Sequence, residues 1–363
     1  MNAYLNPRFL IGLFICACIG MFAITLSNRF VWLSSNGLGA LTIAIILGIT
    51  LGNLPFLSSI IKNSLPGIQF AKQRILRLGI ILYGIRLTFQ DIGDVGFLGA
   101  AIDIAMFLST FILAVYLGVK YFKLDKEIAI LIGAGSAICG AAAILATEPV
   151  VKAENEKVTV AIATVVIFGT ISIFIYPILY QLSHHYFAST EFPMQFGIYI
   201  GSTVHEVAQV LAAANSIGSD TADTAVITKM MRVMMLGPFL MALSIYFIYL
   251  GRSERSIQSS PVAKKTLGSR IAGLGIPWFA FLFVLVIALN SFGVFPKQSI
   301  QPLVHFDNFL LASAMVALGL TTHLSAIKNA GLKPLFLAVT LFFWLVVGGA
   351  FINIIATVLW NLS

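Results

Sequence analysis

A histidine beside a glutamate, His205-Glu206, stands inside the apolar run FGIYIGSTVHEVAQVLAAAN of residues 196–215. A charged side chain at a bilayer centre costs roughly 2.5–3.5 kcal/mol on insertion scales, so such a pair persists where it meets a partner or lines a wet cavity. Read as a helix, Ser202, His205 or Glu206, and Gln209 form one stripe at i, i+3/i+4 and i+7. That stripe puts a hydroxyl, a proton-exchanging pair and an amide on one face, so His205 or Glu206 suits a coupled proton. The plainer reading is a His–Glu pair locking two helices together. The order H-E-x-x-Q resembles the zincin H-E-x-x-H but lacks the second histidine, so no metal site is expected.

Two further groups of charge lie deep in apolar sequence. Lys229 and Arg232 stand three apart in KMMRVMMLGP, and Thr224, Thr228 and Arg232 step up one helix face. Arginine suits bidentate contact with an oxyanion, which makes both cations candidate anion ligands. They serve equally as counter-ions to Glu206, or snorkel to an interface. Asp103 is the other deep charge, a partner for Lys229 or Arg232 or a ligand for a coupling cation. Arg86, Asp91 and Asp94 fall at a span end and read as interfacial; His184, His185 and His323 read as loop residues.

Glycine-serine breaks at Gly135-Ser136 and Gly201-Ser202 suggest where helices unwind. An unwound helix points its second half's N–H groups at an anion and its first half's free carbonyls at a cation. The competing explanation is that small residues let membrane helices pack closely.

Elements that could hold such residues follow from composition. Of 363 residues, 59% are hydrophobic and 10% charged, with a mean hydropathy of +0.98. A soluble domain carries about 25% charged residues, so this is an all-α polytopic membrane protein forming one transmembrane domain, residues 1–363. The net charge of +8 resides in short loops between apolar runs, which argues against nucleic acid as a partner and for a bilayer. Cys16, Cys18 and Cys139 all fall in apolar runs and give neither a disulfide framework nor a metal spacing. No P-loop, dinucleotide fingerprint or nucleophile elbow is present, so neither an enzyme nor an organic cofactor is expected.

Apolar runs predict about eleven spans: residues 9–26, 37–54, 75–89, 96–121, 128–149, 158–182, 196–215, 221–250, 276–292, 309–324 and 334–360. The first reads as a retained span rather than a cleaved signal. Lys62, Lys72 and Arg74 are placed between spans two and three, Lys120, Lys123 and Lys126 between four and five, and a basic linker at 251–270 between eight and nine. With Lys328 and Lys333, these loops share one side if the N-terminus is cytoplasmic and the C-terminus periplasmic. Lys152 and Lys157 fall on the other side, diluted by Glu148, Glu154 and Glu156. Setting aside residues 1–36, the count invites a five-plus-five inverted repeat, 37–182 against 193–361.

The runs LRLGIILYGIRLTFQ (76–90), LIGAGSAICGAAAILATEPVVKAE (131–154), GIYIGSTVHEVAQV (197–210) and ALGLTTHL (317–324) closely resemble the YeiH family of bacterial inner-membrane proteins, often labelled sulfate exporters. That family is grouped with cation/proton antiporters and bile-acid-type symporters. The resemblance implies two discontinuous helices crossing near the midplane, one carrying the S-A-I-C-G run of Ser136, Cys139 and Gly140. Span seven and span ten both compete to be the other.

The expected function is a secondary active transporter in the inner membrane, exporting a small anion such as sulfite or sulfate. Ser136, Cys139, Gly140, Ser202, Thr203, Lys229 and Arg232 are the candidate substrate residues. His205, Glu206, Asp103 and Gln209 are the candidates for coupling H⁺ or Na⁺. A cation/proton antiporter is the alternative, a non-transporting sensor the second, and a homodimer is an assembly open to either.

Overall fold

The computed structural model describes residues 7–30, 39–184, 191–254, 278–322 and 331–362. His185, His323, Lys328 and residues 255–270 of the basic linker lie outside the described residues. Every regular element described is helical. In chain order these are α1 (Pro7–Arg29), α2 (Ala40–Gly52), α3 (Ser58–Phe70), α4 (Leu76–Tyr83), α5 (Phe89–Lys120), α6 (Lys126–Ala134), α7 (Ala141–Val151) and α8 (Asn155–His184). There follow α9 (Phe192–Thr203), α10 (Val207–Asn215), α11 (Ser219–Met234), α12 (Leu236–Glu254), α13 (Trp278–Ser291), α14 (Lys297–Leu320), α15 (Leu332–Phe343) and α16 (Gly349–Leu362).

Among the described residues, six helical stretches are long and apolar enough to cross a membrane: Pro7–Arg29, Phe89–Lys120, Asn155–His184, Ser219–Phe247, Gln298–Leu320 and Leu332–Trp360. A bent pair, Ala40–Gly52 with Pro55–Arg86, meets at 83° and makes a seventh. Spans five and seven of the sequence reading are each a pair of half-helices, and span nine is a helix of 14 residues. The chain is therefore an all-α membrane protein with several spans.

Span three differs from its expected form. Its helix starts at Ser58, widens into a π turn at Ala71–Ile75 and runs on through α4 to a 3-10 turn at Gly84–Arg86. Lys62, Lys72 and Arg74 thus sit on helix rather than in a loop, and Lys72 Nζ donates to Thr321 Oγ1 at 3.1 Å. Polar residues on one helix face had interrupted the apolar run without interrupting the helix.

Helices α1–α4, α13 and α14 pack into one bundle, and α5–α12 with α15 and α16 into another. Small residues let backbones meet in the first bundle: a methyl added to Gly48 would stand 2.5 Å from the Val316 carbonyl oxygen, and one on Gly319 2.5 Å from that of Ile45. Few polar bonds join the bundles. Thr42 Oγ1 donates to the Ala212 carbonyl at 3.1 Å, Tyr83 OH to Asp223 Oδ1 at 2.7 Å, and the Phe89 N–H to Ser291 Oγ at 2.9 Å.

Arg86 is not the interfacial residue expected of a span end. Its Nη2 reaches Asp307 Oδ2 at 2.6 Å and Asn308 Oδ1 at 2.8 Å, and its guanidinium lies 4.5 Å from the centre of the Tyr83 ring. Asp307 is 1% exposed, so the pair is largely desolvated. Asp91 instead forms a capping box with Thr88 at the start of α5, and Asp94 is exposed.

Removing one member of a buried pair leaves the other uncompensated. Arg86→Met is expected to lower stability by about 3 kcal/mol, and Arg86→Met/Asp307→Leu to recover most of it. Thermal unfolding of the purified protein in detergent checks both.

Candidate functional site

The two broken helices meet. The first is α6, which widens into a π turn at Gly135–Cys139, turns at Gly140 and resumes as α7. The second is α9, which ends at Thr203, passes through extended backbone at Val204 and Glu206 and resumes as α10. Span seven, not span ten, supplies the second break: α14 runs without interruption from Lys297 to Leu320.

Both breaks fall later than the glycine-serine pairs predicted. Gly135-Ser136 lies within the π turn, with the chain reversal at Gly140 (φ 65°, ψ −134°). Gly201 and Ser202 are still helical, and Gly201 is a packing residue. A methyl there would stand 2.5 Å from the Ala225 carbonyl oxygen and 2.7 Å from Thr228 Cβ on α11. Close packing by small residues therefore explains Gly201, while unwinding explains Gly140. Ser202, His205, Glu206 and Gln209 do not share a helical stripe, because residues 204–206 are not helical.

Lys229 and Arg232 of α11 lie between the breaks, both with no solvent exposure. Lys229 Nζ donates to the Ile138 carbonyl at 2.7 Å and the Val204 carbonyl at 2.6 Å. Arg232 Nε donates to the Ala137 carbonyl at 2.5 Å, and its Nη1 to the Ser202 carbonyl. Each cation thus bridges the two helix ends whose carbonyls the breaks leave free, where the backbone dipole is negative. Neither snorkels, and among the described residues neither forms an ion pair with Glu206.

Glu206 answers the opposite ends. Its Oε1 accepts from the Ala141 N–H at 3.1 Å, the first residue of α7, and its carboxylate also caps α10. Gln209 closes that capping box, its Oε1 accepting from the Glu206 N–H at 3.0 Å. One carboxylate therefore serves both half-helix N-termini, the ends the sequence reading assigned to an anion at Ser136 and Ser202. A methyl on Gly140 would stand 2.3 Å from Glu206 Cγ, so glycine is demanded there by space as well as by φ.

The other predicted residues are brought into the same region. Thr203 Oγ1 accepts from Tyr176 OH at 2.6 Å and donates to the Tyr199 carbonyl at 2.5 Å. Ser136, Cys139 and His205 are buried in or beside the breaks, and His205 Nδ1 and Gln209 Nε2 have no hydrogen-bond partner. Asp103 on α5 has no solvent exposure, and among the described residues neither of its carboxylate oxygens is hydrogen-bonded.

Sequence reasoning missed Asn353 on α16. Its Nδ2 donates to Ser202 Oγ at 3.4 Å and to the Gly349 carbonyl at 2.8 Å. It missed Tyr199 too, whose OH donates at 2.6 Å to the Val346 carbonyl, in the π turn Trp344–Gly348 between α15 and α16. The signal for Asn353 was present as one amide in the apolar run AFINIIATVLW.

Comparison with known proteins finds a family of membrane proteins. The family model described as conserved hypothetical protein 698 matches residues 11–338. The chain belongs to this family, UPF0324. It is 56% identical over 317 residues to the UPF0324 inner membrane protein YeiH of Escherichia coli K12, covering 87% of this chain and 86% of the relative. A UPF0324 membrane protein of Yersinia pestis is 51% identical over 349 residues, 96% of this chain and 92% of the relative. One from Pseudomonas aeruginosa is 52% identical over 345 residues, 95% and 94% of the two chains. No solved structure matches the chain. The YeiH resemblance drawn from the motifs holds across the UPF0324 match.

Gly140 offers the sharpest test of the crossing in this UPF0324 chain. Gly140→Ala puts a side chain in a glycine-only conformation and against Glu206, so it is expected to cost about 2 kcal/mol or more. Gly93→Ala, where a methyl meets nothing within 4 Å, is expected to leave the melting temperature unchanged or slightly raised. Paired thermal melts in detergent decide it.

Proposed function

We propose that the protein is a secondary active transporter of the bacterial inner membrane, exporting a small anion such as sulfite or sulfate coupled to an ion gradient. The observation that carries this reading is the meeting of two helix breaks around buried Lys229, Arg232 and Glu206. Non-helical backbone at membrane depth is tolerated where it is buried in protein or lines a cavity, and discontinuous helices of this kind form solute sites in transporters. The inner-membrane location rests on the printed names of the relatives.

An anion is favoured by the two fully buried cations, and Arg232 keeps one N–H₂ group, Nη2, without a partner. Outward movement of negative charge follows an inside-negative potential, at about 2.3 kcal/mol per charge per 100 mV. The inverted five-plus-five division is part of the proposal, one broken helix falling in each half. So is the orientation with the N-terminus cytoplasmic and the C-terminus periplasmic.

A cation/proton antiporter is the second reading, and the unpartnered carboxylate of Asp103 favours it. Replacing Lys229 and Arg232 together by alanine does not separate the two readings, because both side chains hold the break carbonyls. The separating experiment is flux in proteoliposomes, screening sulfite, sulfate, small organic anions and Na⁺ with and without a pH gradient. The expected result is oxyanion flux, slowed at least about tenfold in Arg232→Lys, which keeps the charge but loses the planar fork. Na⁺ flux driven by the pH gradient and lost in Asp103→Asn supports the second reading instead. No flux of any of these solutes overturns both.

A further inference from the structure

The half-helix N-termini, where transporters of broken helices would be expected to seat an anion, are already filled here by the Glu206 carboxylate. Lys229 is bound to one carbonyl from each break, and Arg232 likewise through Nε and Nη1. The unfilled capacity lies on the other side of Arg232. Among the described residues, four buried polar atoms lack a partner there: Arg232 Nη2, both carboxylate oxygens of Asp103, and Asn353 Oδ1. Buried polar atoms are rarely left so, and a group of them calls for a ligand, ion or water.

Helix geometry places these atoms together. Helices α5 and α16 run antiparallel: the Phe97 and Trp360 rings stack with centroids 6.4 Å apart, and a methyl on Gly349 would lie 3.4 Å from Met106 Cε. That register brings Asp103 level with Asn353. Asn353 Nδ2 reaches Ser202 Oγ, and the Ser202 carbonyl accepts from Arg232 Nη1. One turn before Asp103, a methyl on Gly99 of α5 would lie 3.6 Å from Cε of Met231, the residue beside Arg232 on α11.

We infer that the cargo is a small oxyanion seated between α5, α11 and α16, held by Arg232 Nη2, Asn353 and Ser202 Oγ, with the Asp103 carboxyl facing it. This rests on the anion-transport reading above. Arg232 supplies a planar donor suited to an oxyanion, and the Asn353 N–H₂ reaches the seat by giving up its long 3.4 Å bond to Ser202 Oγ. Charge decides how Asp103 takes part. With Lys229, Arg232, Glu206 and Asp103 all ionised the crossing is neutral, and an anion adds uncompensated charge. With a proton on Asp103 the same groups sum to one positive charge, which neutralises hydrogen sulfite and offsets one of the two charges of sulfate or sulfite, and the carboxyl becomes a donor. Packed against α5, α11 contributes Lys229 and Arg232 and α16 contributes uncharged Asn353, and the breaks those cations hold carry Cys139, His205 and Glu206. Proton and oxyanion therefore bind together.

The test is oxyanion-induced thermal stabilisation of the purified full-length protein in detergent, with sulfate, whose charge is constant over the range, as the probe from about pH 5 to about pH 8. The wild type is expected to bind more tightly at lower pH, and Asp103→Asn to bind without that pH dependence. Asn353→Ala is expected to weaken binding at least about tenfold, and Asp94→Asn, at an exposed carboxylate outside the crossing, to keep it within about threefold. Should Asn353→Ala fail to fold, Asn353→Asp, which preserves shape and repels an anion, is read instead. Wild-type affinity in the Asn353 variant, with loss in Glu206→Gln, overturns the seat and returns the anion to the half-helix N-termini. Absence of oxyanion binding by the wild type overturns the anion-transport reading itself, and the seat with it.

Discussion

An arginine inside a membrane protein cannot shed its charge, so the protein must solvate it. Here the solvent is backbone. Lys229 and Arg232 are bound to the carbonyls of Ala137, Ile138, Ser202 and Val204, which are available because two helices stop there. An unbroken helix spends those carbonyls on its own N–H groups, leaving the cations nothing to bind. Breaks without cations would leave the carbonyls orphaned away from water. The breaks and the cations are thus conditions for one another, and Glu206 performs the matching task for the N–H ends.

The surrounding elements serve to hold α11 at the right distance from both breaks. Gly197 and Gly201 let α9 lie directly against Thr221, Thr224, Ala225 and Thr228 on α11, which brings the Ser202 and Val204 carbonyls within reach of the two cations. The last turn of α9 is then fixed from its other side through Tyr176, Thr203 and Tyr199, ending at the Val346 carbonyl in the π turn between α15 and α16. A π turn loosens regular helical pairing, which suits Val346 to accept from a side chain. The other bundle contributes little to this network. Its polar link to α11 is the Tyr83–Asp223 hydrogen bond, at some distance along the helix from Lys229.

Much of this was legible in the sequence because the bilayer leaves its mark locally. Apolar runs located the helices, and ionisable residues inside them located Asp103, His205, Glu206, Lys229 and Arg232, all of which the fold gathers around the crossing. The misreadings have a common cause. A glycine's neighbours in sequence do not say whether it faces another backbone or turns the chain. Gly201 was read as a break because Ser202 follows it, whereas Thr228 on another helix explains it. The break at Gly140 is defined by a carboxylate that binds the next residue, Ala141, from 65 positions away. Asn353 escaped because an amide in an apolar run carries no charge to attract notice, and its partner Ser202 lies 151 positions away.

Compensated and uncompensated groups at the crossing are suited to different tasks. A group that releases cargo in every cycle must exchange its partner at little cost, and a cation holding two buried carbonyls cannot do so. Lys229, Glu206 and two of the three Arg232 nitrogens are committed in this way, which fits them to hold the half-helices in register while the bundle moves. Among the described residues, the Asp103 carboxylate oxygens, Asn353 Oδ1 and Arg232 Nη2 have no commitment to break. Because Arg232 belongs to both sets, a ligand at its free nitrogen pulls on the same guanidinium that grips the Ala137 and Ser202 carbonyls. Occupancy of the seat is thereby transmitted to both broken helices through one rigid, planar group, with no further contact required.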